Sequence, residues 1–185
     1  MSSYFKVLYT TYYKRVYSTC LLILKNHSLA EEAAQEAFIK AYNNIDKLKD
    51  PSKFGPWVAS IASNCAIDLY KSNKNVLIIE DNETLDFLIN QKIDNTHDPY
   101  NELEKSELGR EMRLAISKLE PQLEQMVILK YYWELKDKEI ADVLQVPIGT
   151  VKSSLHRARR TLSGILPSIN KDYLKLIEGG KKHER

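Results

Sequence analysis

The chain has 185 residues, and its 27 Lys and Arg against 25 Asp and Glu leave a formal net charge of +2. Six Gly, six Pro and a 43% hydrophobic content exclude collagen-like, linker-like and disordered compositions, and no apolar run approaches the roughly 20 residues that span a bilayer. Cys20 and Cys65 are too few for a disulfide framework or a cysteine-rich zinc site. The N-terminus lacks a signal-peptide pattern, so we expect a soluble, cytoplasmic protein that is not inserted in a membrane.

Amphipathic helices with a period near 3.6 residues are predicted for the first 75 residues, which form a small domain (1–75). The first helix is predicted over 4–25 and the second over 29–45, started by a capping box at Ser28. A loop over 46–56 contains two prolines, the second of which suits the first turn of a third helix. Inward-facing positions of the second and third helices are expected at Ala33, Ala37, Phe38, Ala41, Trp57, Val58, Ile61, Ala62, Cys65 and Leu69.

An acidic segment separates two basic blocks. Residues 1–74 hold 10 basic and 6 acidic side chains, residues 75–120 hold 5 and 11, and residues 121–185 hold 12 and 8. The helical pattern decays over 76–107, where Asp, Asn and Pro accumulate, so we predict an acidic flexible linker there. A surface loop of one domain is the alternative, although structureless loops of this length are uncommon. The basic blocks indicate two modules that meet a polyanion, or else solvated helix faces with uneven charge.

A second helical module is predicted over 108–168, followed by a tail over 169–185 that is expected to fray. The helices of this module are predicted at 107–118, 121–132, 137–144 and 150–166.

The stretch from Asp137 to Lys152 is typical of a helix-turn-helix. Ile140, Ala141 and Leu144 are expected to face inward on its first helix, and the small Ala141 permits a close, steep helix crossing. Gln145 occupies the turn, where glycine is usual and a left-handed backbone would cost glutamine about 1 kcal/mol. An ordinary helical hairpin with a basic face is the alternative. The candidate contacts to duplex DNA, in the major groove, are Thr150, Lys152, Ser153, His156, Arg157 and Arg160.

Three stretches of the chain carry a family resemblance. They run from Ala30 to Phe38, from Trp57 to Asp68 and from Ile148 to Arg159. The first two resemble the second region of bacterial RNA polymerase sigma factors of the sigma-70 family, most closely the extracytoplasmic-function (ECF) subfamily, and the third resembles the fourth region. The resemblance implies an all-α fold of two small helical domains, a three- or four-helix region 2 module and a helix-turn-helix region 4 module, joined by the acidic linker.

The resemblance also implies partners and residue roles for the first module. Its second-region helix would dock on the clamp-helix coiled coil of core RNA polymerase. An acidic stripe with one exposed aromatic side chain suits a basic partner helix, and the alternative is that the aromatic ring is buried in its own domain. The implied polymerase contacts are Glu32, Gln35, Glu36 and Phe38. The implied contacts to the minus-ten element, read as melted strand, are Lys53, Asn64 and Lys71.

The implied function is that of a sigma factor, which binds core RNA polymerase and directs promoter-specific transcription initiation. Its second module would read the minus-thirty-five element as duplex DNA, and a sequestering anti-sigma factor is a further implied partner. A stand-alone helix-turn-helix regulator and a helical interaction scaffold are the alternatives. The sequence predicts neither enzymatic activity nor a metal or cofactor site, because the four histidines share no ligand spacing and a Gly-rich phosphate loop is absent.

Overall fold

The computed structural model describes residues 3–73 and 115–165, and within these ranges the structure is helical, without β-strands. The all-α fold class is therefore confirmed. The first module contains α1 (Ser3–Leu24), α2 (His27–Asn43) and α3 (Phe54–Ser72), with short 3-10 turns at Ile45–Lys47 and Pro51–Lys53. The second module contains α4 (Pro121–Val127), a π-helical turn (Ile128–Tyr132), α5 (Asp137–Leu144) and α6 (Ile148–Ile165). The linker predicted over 76–107, the tail over 169–185 and most of the helix over 107–118 lie outside the described residues.

The first module is a bundle in which α1, α2 and α3 all pack against one another. Small side chains permit this close approach: Ala33, Ala37 and Ala41 of α2 are fully buried, as the pattern predicted. At Gly55 of α3, a Cβ atom would lie 3.1 Å from the ring of Tyr12, so any larger residue there would require that ring to shift by a few tenths of an ångström. Three positions of α3 that were predicted to face inward are less buried than expected. Trp57, Ile61 and Leu69 are only half-buried.

The start of α2 corrects the predicted capping box. Asn26 is the N-cap, and its side-chain oxygen accepts a hydrogen bond from the Leu29 N–H at 3.0 Å. Ser28 therefore lies inside the first turn, and the capping box predicted there is wrong. Asparagine and serine are both good N-caps. Because Asn26 precedes Ser28 by two residues and caps the helix, the helix already includes Ser28.

Two further helices begin two residues before their predicted starts. The helix expected to begin at Pro56 begins at Phe54, whose ring is buried in the core. The predicted loop before it is partly ordered, because the Asp50 carboxylate accepts a hydrogen bond from the Ser52 N–H at 3.0 Å and caps the second 3-10 turn. The helix expected from Thr150 begins at Ile148.

The second module packs α4 against α6 and α5 against α6. Pro121 occupies the first turn of α4, as predicted. The helix then widens into a π turn, in which the N–H of Trp133 bonds to the carbonyl of Ile128, five residues earlier, at 3.0 Å. A cluster of apolar side chains joins α4 to α6, formed by Ala115, Leu119, Leu123, Val127, Ala158 and Leu162.

The main hydrophobic core is continuous across both modules. It contains the buried faces of α1, α2 and α3, and the second module adds Met126, Ile128, Leu129, Trp133, Leu135, Ile140, Ala141, Val151 and Leu155 to the same cluster. The chain described by the structure is therefore one packed body, in which the helix-turn-helix lies against α3.

Candidate nucleic-acid interface

The helix-turn-helix is built by α5, a tight turn and α6. Ile140 and Val151 are fully buried and hold the two helices together, and Ala141 lies beside them. Gln145 ends α5 in the left-handed conformation, with φ 55° and ψ 43°. Its N–H bonds to the carbonyl of Ala141, and so does the N–H of Val146 at 3.1 Å. The turn predicted at Gln145 is therefore present, and its backbone is left-handed.

The exposed face of α6 is basic. The candidate residues for duplex DNA, Thr150, Lys152, Ser153, His156, Arg157 and Arg160, are all exposed, while Arg159 beside them is half-buried. Lys152 and the three arginines are the charged residues of this helix, which carries no carboxylate. An α-helix fits the major groove of DNA, where basic side chains on its exposed face can bind phosphates and polar side chains can reach base edges.

One carboxylate lies close to this basic face. Glu120, just before α4, is 3.7 Å from the guanidinium of Arg157, and both side chains are well exposed. An exposed pair of this kind contributes little to stability, so Arg157 can exchange Glu120 for a phosphate at small cost.

The three minus-ten candidates lie along one helix rather than in one cluster. Lys53 directly precedes α3, Asn64 lies in its middle and Lys71 lies in its last turn, and all three are exposed. Asn64 and Lys71 are seven residues apart, or about two helical turns, which puts them on the same face about 10 Å apart along the axis. Such a line of polar groups can follow a single strand.

The Asn64 side chain already has a partner from the second module. Gln125 of α4 donates one hydrogen bond to Asn64 Oδ1 at 2.8 Å and another to Ser63 Oγ at 2.9 Å. The sequence analysis did not identify Gln125, because its contact partners lie about 60 positions away in the chain.

The polymerase candidates on α2 divide into three exposed residues and a buried one. Glu32, Gln35 and Glu36 are exposed, and Glu36 pairs with Lys40 at 3.4 Å. Phe38 is only 4% exposed, and its ring centroid lies 4.7 Å from that of Tyr9. The interpretation of Phe38 as an exposed anchor is therefore wrong, because the aromatic cluster of α1 encloses the ring.

A buried carboxylate and a half-buried ammonium group at the junction of the modules were also missed. Glu124 of α4 is fully buried, and its carboxylate lies 3.6 Å from the ammonium of Lys25. Burial raises the pKa of Glu124 to about 8, and Lys25 opposes the shift. Lys25 also donates to the carbonyl of Ser117 at 2.6 Å. A single carboxylate on an amphipathic helix gives no sequence signal that it will be buried against another module.

Residues 3–73 and 115–165 contain no group of three or more His, Cys, Asp or Glu side chains that could hold a metal ion. None of the helices in these two ranges combines the length and the apolar character needed to cross a membrane.

Comparison with known proteins gives matches to both modules. The family described as Sigma-70 region 2 matches residues 8–76, and the family described as Sigma-70, region 4 matches residues 109–162. The ECF RNA polymerase sigma factor SigW of Bacillus subtilis strain 168 is 34% identical over 155 residues, 82% of either chain. SigM of the same organism is 30% identical over 85% of this chain and 92% of its own.

A solved structure shares the fold. The sigma factor RpoE of Bartonella quintana, crystallised with the anti-sigma factor NepR, superposes with a TM-score of 0.66 at 19% identity, covering 91% of this chain and all of that one.

Proposed function

The chain belongs to the sigma-70 family of RNA polymerase sigma factors, in the ECF subfamily, and we propose which of its residues contact promoter DNA and which contact core polymerase. It is a sigma factor that binds core RNA polymerase and directs promoter-specific transcription initiation. Sigma factors are regulators without catalytic activity of their own, and we extend this to the present chain. The stand-alone regulator is not favoured, because the chain matches both sigma regions.

The proposed contact to the minus-thirty-five element is the exposed face of α6. The observation that carries it is a recognition helix with its basic side chains exposed and its apolar side buried against α4 and α5. Thr150, Lys152, Ser153 and His156 lie nearest its N-terminus, the end that reaches base edges in helix-turn-helix proteins. Arg157 directly follows His156 and Arg160 lies about one turn further along, where both suit phosphates.

The first module supplies the other two proposed contacts. Residues Glu32, Gln35 and Glu36 form an exposed acidic and amide face on α2 that suits a basic helix of core polymerase. Asn64 and Lys71 on one side of α3, with Lys53 just before its start, are the proposed contacts to the melted minus-ten strand. Phe38 has no part in either contact, since it is buried.

We also propose the domain division, location and regulation. The division is region 2 over 1–75, an acidic linker over 76–107, region 4 over 108–168 and a tail over 169–185. A sigma factor works where its polymerase is, which supports a cytoplasmic location. The RpoE relative was solved with an anti-sigma factor, and we propose a partner of that class for this chain.

The test is run-off transcription with purified core polymerase on a panel of candidate promoters. The protein should initiate at a promoter only together with core polymerase, and alone it should bind that promoter weakly, since tethering supplies effective concentration. Tight sequence-specific binding without polymerase, or an empty pull-down with core polymerase, would contradict the proposal.

A charge-reversal pair tests the recognition helix. Lys152→Glu should reduce run-off product at least about fivefold, because the loss of a base or phosphate contact costs about 1–3 kcal/mol. Lys6→Glu is the matched control: it makes the same charge change at an exposed position of α1, and it should leave the product unchanged. Equal activity of the two variants would exclude α6 as the promoter contact.

A further inference from the structure

We propose that the groove between α3, α4 and the helix-turn-helix is a binding site for a small ligand, a nucleoside monophosphate. The inference rests on the proposed function, because residues assigned there to promoter DNA also line this groove. The groove has a volume of about 350 Å³, which is near the lower end of the range for small-molecule sites. It therefore suits a single nucleotide rather than a strand of nucleic acid.

Apolar side chains give the groove a surface on which a flat ring can pack. They are Leu123 and Met126 of α4, which are buried, and Leu144 and Val146 at the end of α5 and just after it, which are half-buried. The faces of a nucleobase pack well on such side chains, and the sulfur of Met126 makes favourable contacts with aromatic rings. The base of a nucleotide therefore has a place in the groove.

Polar side chains of the groove supply hydrogen-bond donors. Asn64 Oδ1 accepts a hydrogen bond from Gln125 at 2.8 Å, which leaves the N–H groups of the Asn64 amide to donate to a ligand. Gln122 adds an exposed amide, and Thr150 and Ser154 add hydroxyl groups. Groups of these types bind the edge of a base and the hydroxyls of a sugar.

Arg157 supplies the positive charge of the groove and favours an anionic ligand. A guanidinium group holds a phosphate through two parallel hydrogen bonds. Thr150 lies in the first turn of α6, where the helix dipole also favours an anion. Glu120 lines the groove as well and pairs with Arg157 at 3.7 Å. Both side chains of this pair are exposed and the pair contributes little, so a phosphate can displace the carboxylate.

The chemistry that these residues share with promoter recognition identifies the class of ligand. Asn64 is a proposed contact to the melted strand, and Thr150 and Arg157 are proposed contacts to duplex DNA, yet all three line one groove. A nucleoside monophosphate carries a base and a phosphate on one molecule, so it can bind all three residues together. A simple carboxylate would use Arg157 alone, and a nucleoside would leave Arg157 paired with Glu120. A bound nucleotide also occupies groups that promoter DNA requires, so the two exclude each other.

Isothermal titration calorimetry on the free, full-length protein tests the site. AMP, GMP, CMP and UMP are titrated separately, and at least one of them should bind at a single site per chain. The matching nucleoside and inorganic phosphate should each bind at least about tenfold more weakly, because each lacks one group of contacts. If none of the nucleotides binds, or if phosphate alone binds as tightly as the nucleotide, the proposal is overturned.

Two variants with matched controls locate the site. Arg157→Gln removes the phosphate contact and should weaken nucleotide binding at least about fivefold. Lys138→Gln removes the same charge from an exposed position of α5 outside the described lining and should have a much smaller effect. Glu120→Gln removes the competing carboxylate and should strengthen binding by a factor of about 2–5, whereas Glu134→Gln, exposed outside this lining, should not.

Equal effects within either pair of variants would show that net charge alone attracts the nucleotide, and would refute the groove as its site. The calorimetric test uses neither polymerase nor DNA, so its outcome is separate from that of the run-off assay. Nucleotide binding without promoter-specific transcription would refute the proposed function alone. Promoter-specific transcription by a protein that binds none of the nucleotides would refute the ligand site alone.

Discussion

Replacing Gln145 by glycine should stabilise the protein, which is unusual for a substitution in a helix-turn-helix. Gln145 adopts φ 55° and is exposed. A left-handed backbone costs a residue with a Cβ atom about 1–2 kcal/mol, a cost that glycine avoids. Glycine also loses about 0.5–1 kcal/mol more chain entropy on folding. The difference leaves a net stabilisation of about 0.5–1 kcal/mol.

Thermal and urea unfolding measure this difference. For a chain of this size, 1 kcal/mol shifts Tm by about 2–4 °C, so Gln145→Gly should raise Tm by about 1–4 °C. Gln145→Ala is the control, because alanine keeps the Cβ atom and should give no gain. A gain of the same size for alanine, or a loss for glycine, would refute the assignment of strain to this residue.

Three further predictions concern helix capping, core packing and pH. Asn26→Ala should destabilise the protein by about 1 kcal/mol in urea unfolding, whereas Ser28→Ala, inside the first turn, should have little effect. A larger loss of stability for Ser28→Ala than for Asn26→Ala would instead identify Ser28 as the N-cap. Phe38→Ala should cost about 3–5 kcal/mol of unfolding free energy, as expected for a core ring, and a stable variant with weakened polymerase binding would contradict its burial. Because burial raises the pKa of Glu124 to about 8 from an ordinary 4.5, the folded state binds more protons than the unfolded state between these values. The free energy of unfolding should therefore fall as pH rises from about 4.5 to 8. This fall should be much smaller in Glu124→Gln. If the wild type and the variant show the same dependence on pH, the pKa of Glu124 is not raised.

The helices were largely predictable because their signals are local. Periodicity placed α5 at its observed bounds, and it placed α1 and α4 within a residue at their starts. Errors arose where two local signals compete within one turn, as at Asn26 and Ser28. The sequence placed Gln145 in the turn between two helices, and the residue adopts the left-handed backbone there although its type argues against it.

The site was predictable only for residues whose exposure follows from one helix. The basic face of α6 opposes its own apolar stripe, so its exposure could be read from the sequence. The periodicity of α2 placed Phe38 inward, which its burial confirms, and only the role taken from the family resemblance required the ring to be exposed. Gln125 and Glu124 owe their burial to contacts with residues about 60 and 100 positions away, which no local pattern encodes.

The π-helical turn constrains the number of residues in the segment from Pro121 to Tyr132. Each residue of an α-helix turns the chain by about 100°, so one residue accommodated in a wide turn rotates every residue that follows. That rotation brings Trp133 to Thr19. A lineage that lost one residue between Pro121 and Tyr132 would keep an amphipathic helix and still lose its junction with α1. The number of residues in this short segment is therefore as much a part of the fold as their chemical nature.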